Sequence, residues 1–494
     1  MSKAPWYPIV YLRGYAGTQG EVEDTVADPY MGFNTGSTKL RQQWDREVAR
    51  HIFESPLIRL MKDFGYRDTY SEGEELTGEG AVPWKSVWIY RYYEPVSSEL
   101  GEGRRPEMEA YADGLGVFLR ELREKICGSD TAGKNAFKVY LVAHSMGGLV
   151  ARCWLQNRRG RESDPVQVEK LFTYGTPHRG IDFRLVGNLP SWARFNNTEN
   201  FNESRMREYL DLESDEPVNS LAGALPEDRS FSLVGTNPKD YTVAGGLSSA
   251  AVGPMSDGLV QIRNAYINGG PRAFVHRAHS GHYGLVNSEE GYQNLSRFFF
   301  GDVRIDGRLR VSGVSLPDRV QREKDRGKEV RASYHIEVSV NARDTRWYLH
   351  RRTVDEESAI HARYDDMVKA GKPVHLFSQY LAKRAIGRGS YMGYSVTLGV
   401  LVPEYRVDNR FFFDDHFEGA YIFRDKLNML LRPNEEGLKV RFGWDSSASN
   451  GTDTTVEQPM NANRAWRIEI PVKKASAPGI EALLELDIAD VSPT

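Results

Sequence analysis

Cysteine is almost missing from this sequence: Cys127 and Cys153 are the only two in 494 residues. Neither sits in a Cys-x-x-Cys pair or a Cys/His cluster, which excludes a disulfide framework and a zinc site as organising devices. Cys153 falls on the inward face of a helical pattern and reads as small core filler. Such usage fits a reducing compartment. An excess of one charge is also missing, because Lys+Arg 64 against Asp+Glu 68 leaves a net −4. That balance speaks against nucleic acid, or an anionic membrane held by overall charge, but leaves room for a lipid substrate in an apolar cleft. No apolar run reaches the length of a membrane span. The stretch from Met1 to Arg13 lacks a signal peptide's apolar core and cleavage site, being broken by Pro5 and Pro8. The expectation is a soluble protein, cytoplasmic or exported without a cleavable signal. The acidic cluster Phe413-Asp414-Asp415-His416-Phe417-Glu418 lacks a calcium-loop pattern, so a solvated turn without metal is expected.

What is present centres on Lys138 to Arg152. A β-branched apolar run, Val139 to Ala143, stops at His144-Ser145-Met146-Gly147-Gly148, and a helical pattern follows with Leu149, Val150, Cys153 and Trp154 on one face. Ala143-His144-Ser145-Met146-Gly147 departs from Gly-x-Ser-x-Gly only at its first residue. A serine at such a strand-to-helix turn takes a strained backbone and needs small neighbours. Its hydroxyl is lifted clear of the sheet toward the positive end of the following helix. Ser145 is therefore the candidate nucleophile.

At this length two domains are the default, and 40% hydrophobic with 27% charged residues is ordinary for a globular chain. Ile9 to Leu12 reads as a short buried strand ending at Arg13-Gly14-Tyr15-Ala16-Gly17, a turn that suits the amide of Tyr15 to an oxyanion hole. The spacing of Leu40, Trp44, Val48, Ile52 and Phe53 predicts a helix over 39–64, capped by Ser37 and Thr38. Ser86 to Tyr93 reads as a strand, and 107–126 as a helix with Pro106 in its first turn. Val168 to Tyr174, Ser230 to Gly235 and Phe274 to Ala278 read as further strands, and Ser288 to Phe300 as the closing helix. Strands alternating with helices predict a mostly parallel sheet flanked by helices. The segment 183–228, with Trp192, Phe195, Phe201, Met206, Tyr209 and Leu210 among polar residues, breaks the rhythm and suits a lid-like insertion or a packed structural one. Beyond about 303 the period becomes two, at Tyr334 to Val340, Tyr394 to Val402, Trp466 to Val472 and Leu484 to Ile488. This predicts an all-β, sandwich-like domain over 304–494, with a helix at 355–370 and an exposed loop at 446–463.

The first 300 residues or so resemble the α/β-hydrolase superfamily, in its serine esterase and lipase-like branch. The resemblance rests on the elbow through Gly148-Leu149-Val150, on Tyr174-Gly175-Thr176-Pro177-His178-Arg179-Gly180, and on Ser256-Asp257-Gly258-Leu259-Val260. It implies a catalytic domain over 1–303 and a triad in the chain order serine, acid, histidine. Asp257 is preferred as acid over Asp182, and His282 as base over His279. His276 falls inside a strand and reads as structural, His178 comes early and reads as cleft-lining, and His144 is too constrained by the elbow to serve. The amides of Met146 and Tyr15 become the oxyanion hole.

The function implied is hydrolysis of carboxylic esters through an acyl-serine, on esters with a lipophilic part, with no metal or organic cofactor. The same triad serves a phospholipase, thioesterase or acyltransferase. A rival of another class is an inactive hydrolase-fold scaffold whose β-rich part carries the interaction. Oligomeric state is unspecified by the motifs.

Overall fold

The computed structural model describes residues 6–16, 19–43, 45–71, 74–75, 82–103, 105–161, 165–181, 198–240, 255–343, 345–369, 371–386, 390–407, 415–448 and 454–492. The chain divides into two compact units: Met1–Arg272 with Arg277–Phe299, and Ala273–His276 with Phe300–Thr494.

Residues 9–275 build one seven-stranded sheet. In chain order its strands are β1 (Ile9–Leu12), β4 (Arg67–Asp68), β5 (Ser86–Ile89), β6 (Lys138–His144), β7 (Gln167–Tyr174), β8 (Ser230–Gly235) and β9 (Arg272–Val275). They lie side by side as β9-β8-β7-β6-β1-β5-β4, and every neighbouring pair from β8 to β4 is parallel. All residues of β1, β5 and β8 are buried, as a parallel sheet covered on both faces requires. The connecting helices include α1 (Gln19–Ala27), α2 (Pro56–Phe64), α3 (Met108–Cys127), α4 (Met146–Arg161) and α5 (Glu289–Phe300). Of these, α3 buries Met108, Tyr111, Leu115, Leu119 and Leu122 at three- and four-residue spacing, the stripe that a core-facing helix needs.

Two local expectations give way. The span 39–64 is not one helix. Ser37–Gln42 (β2) and Val48–Phe53 (β3) pair as an antiparallel hairpin, and only Pro56–Phe64 is helical, capped by Ser55 and ended by Gly65 in the left-handed region. Apolar residues four apart fit a helix, but four is also an even number, so Leu40, Val48 and Ile52 equally share one face of a strand. Arg46 at φ 72° and the bond from Gln43 N–H to the Glu47 carbonyl close the turn between the strands. Pro106 precedes α3 rather than opening it, since Glu107 is the N-cap.

The second unit is all-β apart from short helices. One sheet runs Val374–Leu381, Val303–Ser315, Gly479–Asp490, Ala465–Lys474, all antiparallel. The other carries the long strands Val330–Ala342, Met392–Val407 and Asp415–Asn434, with shorter ones at its edges. Ile305, Leu309, Leu484 and Leu486 from the first sheet share one core with Ile336, Val338, Leu398 and Leu427 from the second. This is sandwich packing. The expected helix at 355–370 shrinks to Tyr364–Lys369 behind the strand Ile360–Arg363, and the expected loop at 446–463 contains an edge strand, Thr454–Pro459. Thr-Thr-Val in that stretch favours a strand despite the polar surroundings. Among the described residues no helix is long and apolar enough to cross a membrane.

Phe172 sits at the centre of the first unit's aromatic core, stacked on Phe231 at 5.2 Å and tilted against Phe298 at 6.1 Å. Phe172→Ala is expected to cost about 3–5 kcal/mol, because a buried ring leaves a cavity its neighbours fill only in part. Urea unfolding of the full chain measures it as a lowered midpoint for the transition that quenches this aromatic cluster.

Candidate active site

The site begins where β6 ends. Ser145 has φ 51°, in the left-handed region, which costs a non-glycine residue about 1–3 kcal/mol. Its surroundings hold it there: Ser145 N–H donates to the Tyr174 carbonyl at the end of β7, and Gly148 N–H donates to the Ser145 carbonyl in the first turn of α4. Small neighbours are obligatory. A Cβ at Gly147 would stand 2.5 Å from the Arg13 carbonyl oxygen, one at Gly148 2.2 Å from Thr176 Oγ1, and one at Gly14 2.8 Å from Ser145 Cβ. Ala143 is fully buried between Leu12 and Thr173 in the ladder, and its methyl fits where the family pattern has glycine.

Asp257 lies between Met255, two residues earlier at φ 61°, and Gly258, at φ 98°, in a tight turn. Its Oδ1 accepts from the amides of Leu259 (3.0 Å) and Val260 (2.7 Å), leaving Oδ2 for His279 Nδ1 at 2.8 Å. His279 Nε2 lies 2.9 Å from Ser145 Oγ. A carboxylate only accepts, so Nδ1 carries the imidazole proton and Nε2 offers its lone pair to the hydroxyl. All three residues are buried, at 4% exposure or less. His279 N–H also donates to the Asp257 carbonyl at 2.9 Å, which fixes the two backbones to each other. Gly175, at φ 53°, passes so close that a Cβ there would lie 3.0 Å from Asp257 Oδ2 and 3.1 Å from His279 Nδ1.

Thus Ser145, Asp257 and His279 come together, and His282 does not. His282 is exposed at the tip of a turn made by Gly281 (φ 86°), and its carbonyl takes the amide of Thr38. The histidine facing Ser145 is His279, in the turn after β9, where His282 was expected. Asp182 lies outside the described residues. His276 follows β9 directly.

His144 donates from Nε2 to the His279 carbonyl at 3.0 Å, with ring centroids 4.9 Å apart. Desolvation first, and then the neighbouring imidazole, hold His144 well below the ordinary histidine range, so it remains a neutral donor. His178 does not line an open cleft. It is fully buried with Nε2 3.0 Å from Thr173 Oγ1.

The loop after β1 is clamped by aromatic hydroxyls. Tyr92 donates to the Arg13 carbonyl and Tyr93 to that of Gly14, while Ala16 N–H donates to Tyr93 Oη. Tyr15 lies in this clamped loop, its ring edge-on to Phe201 at 6.1 Å, and Met146 opens α4 beside the serine. Of the 183–228 segment, residues 183–197 lie outside the described residues. From Thr198 onward it is a packed insertion: Phe201, Met206, Tyr209, Leu210, Val218 and Leu221 are buried. Arg152 of α4, itself fully buried, donates to the carbonyls of His178, Val218 and Ser220. Burial pushes that guanidinium down to about 10. Sequence periodicity misses Arg152, because an arginine on a helix reads as solvent-facing.

Among the described residues no group of three or more His, Cys, Asp or Glu could hold a metal. Asp414 and the side chains of Asp415 and His416 lie outside them.

The parallel sheet, the elbow at Ser145 and the turns bearing Asp257 and His279 at the sheet's carboxyl edge define an α/β-hydrolase fold, followed by a β domain. Residues 118–223 match the family model described as the PGAP1-like alpha/beta domain. Among solved structures, the chain is similar to the Bacillus licheniformis lipase BlEst2 at 18% identity (60% of this chain, 92% of that one, TM-score 0.31). It is similar to the phospholipase PlaB from Legionella pneumophila at 12% identity (84% and 89%, TM-score 0.31). It is also similar to the RedJ thioesterase from Streptomyces coelicolor at 15% identity (58% and 85%, TM-score 0.24). No curated protein matches the sequence significantly.

Burial, and then the Arg152 charge, hold His178 well below the ordinary histidine range. Unfolded, the same side chain titrates near pH 6.5, so below that pH the unfolded chain binds a proton that the folded one refuses. Its neutral burial therefore costs nothing above about pH 6.5, and stability falls as the pH drops, by a limiting slope of about 1.4 kcal/mol per pH unit. Urea unfolding between pH 7 and pH 5 is expected to flatten by about one proton in His178→Gln.

Proposed function

We propose that this chain is a serine hydrolase of carboxylic esters. The observation that carries the reading is the unbroken hydrogen-bonded run from Asp257 through His279 to Ser145, buried at the elbow. A serine hydroxyl is a weak nucleophile until a base takes its proton during attack. His279 Nε2 takes that proton as Ser145 Oγ adds to the ester carbonyl. Asp257 keeps the imidazole in the tautomer that can accept and stabilises the imidazolium that results. The tetrahedral oxyanion is received by the backbone amides of Met146 and Tyr15, each such donor being worth about 3–4 kcal/mol. His279 then returns the proton to the departing alcohol, and water, activated by the same imidazole, releases the acid from the acyl-serine.

A lipophilic acyl group is the substrate part we assign. Phe201 packs edge-on against Tyr15 in the loop after β1, and an aromatic pair beside the proposed oxyanion donors favours an apolar acyl group.

Hydrolysis of p-nitrophenyl esters from acetyl to palmitoyl tests this. Ser145→Ala and His279→Ala are each expected to lower kcat by roughly 10³-fold or more. His282→Ala is expected to stay within about twofold of wild type, since only its backbone is engaged. A folded Ser145→Ala protein with undiminished hydrolysis would overturn the reading.

A further inference from the structure

The β2–β3 hairpin exposes an aliphatic face that the catalytic reading leaves unused. Strand pairing sets Thr38 opposite Ile52, Leu40 opposite Arg50 and Gln42 opposite Val48, so these six residues share one side. Leu40, Val48 and Ile52 are 52%, 61% and 72% exposed, and exposure alternates along β3 so that Val48, Arg50 and Ile52 all point outward. Scattered exposed aliphatics are ordinary, but three on one face of a two-stranded hairpin form a patch.

The charge of this element departs from that of the chain. Residues 37–53 contain Lys39, Arg41, Arg46 and Arg50 against Asp45 and Glu47; with Lys39 taken up by Glu290, a local excess of one positive charge is left within a chain of net −4. Arg50 stands within the aliphatic face. The overall balance that speaks against an anionic surface therefore does not describe this hairpin. Apolar side chains interleaved with cations are what an anionic lipid surface attracts, the aliphatics entering the headgroup boundary and the cations meeting phosphate or carboxylate.

The root of the hairpin is tied to the loop bearing the base. Thr38 N–H donates to the His282 carbonyl at 3.2 Å, and Arg277 Nη1 donates to the Thr38 carbonyl at 3.2 Å while its other nitrogens hold Glu290 Oε2 at 2.8–3.0 Å. Lys39 pairs with the same Glu290. His279 and His282 are three residues apart on that loop.

We propose that the face formed by Leu40, Val48, Arg50 and Ile52 is the surface by which this protein docks on anionic lipid, delivering the site around Ser145 to esters held there. The proposal rests on the esterase reading for its purpose but not for its measurement. Binding is followed by co-sedimentation with phosphatidylcholine vesicles, with and without about 30% phosphatidylglycerol. The Ser145→Ala protein is used so that no lipid is consumed. Binding is expected to be stronger with the anionic lipid and to weaken with salt. The triple variant Leu40→Ser, Val48→Ser, Ile52→Ser is expected to bind about tenfold more weakly, and Arg50→Glu to lose most of the anionic preference. Unchanged thermal transitions establish that both variants are folded.

Equal sedimentation of the triple variant and its parent, or no binding by the parent, would overturn the proposal. So would a concentration-dependent dimer of the parent that the triple variant abolishes, which would make the face a contact between copies. Hydrolysis of a soluble short-chain ester by wild type is assayed separately. Its absence with docking intact sinks only the esterase reading, whereas its presence without docking sinks only the surface.

Discussion

Ser145 occupies a backbone conformation that its own side chain disfavours, and much of the first unit is arranged to keep it there. Gly147 lets α4 close onto the carbonyls of Leu12 and Arg13, Gly148 makes room for Thr176, and Gly14 lets the loop after β1 pass over His144 and Ser145. Each is a place where one methyl group would push strand, helix or loop apart. The strain of about 1–3 kcal/mol at one residue is borne by the parallel ladder on both sides of β6, which registers Leu12 and Thr173 against Ala143.

The polar chain beyond the serine is costly to bury, and it is fully served. Asp257 receives two backbone amides and one imidazole N–H, so the carboxylate is compensated by three donors. Its backbone carbonyl and that of His279 are also occupied, by His279 N–H and by His144. The imidazole has little freedom to turn, which is the preorganisation that an acid–base group needs. Nearby, Arg152 spends a buried guanidinium on three carbonyls of the 178–220 stretch, anchoring the insertion to the elbow helix. The hairpin on the other side is anchored by a second buried arginine, Arg277.

The sheet, the elbow and the change of texture near residue 303 were legible because each has its own periodicity, and the small residues around Ser145 mark the turn without reference to the fold. The turn that holds Asp257 was legible through its motif. Which histidine faces Ser145 was not, because His276, His279 and His282 fall within seven residues of one another. Which of them turns inward depends on where β9 ends and on Gly281 adopting a positive φ. The hairpin over 37–53 was misread because apolar residues four apart satisfy both periods, and only the turn at Arg46 separates them. Arg152, His178 and the tyrosine clamp on the 13–16 loop are tertiary facts: nothing local announces that an arginine will be buried, or that Tyr92 and Tyr93 will reach back to the loop after β1.

The most direct measurement is the reaction of the intact protein with a serine-directed alkyl phosphonate, followed by peptide mass mapping. The account predicts one modified residue, Ser145, with labelling that is slowed severely in His279→Ala and persists in His282→Ala. A folded protein that leaves Ser145 unlabelled, or one that labels equally fast without His279, would contradict it.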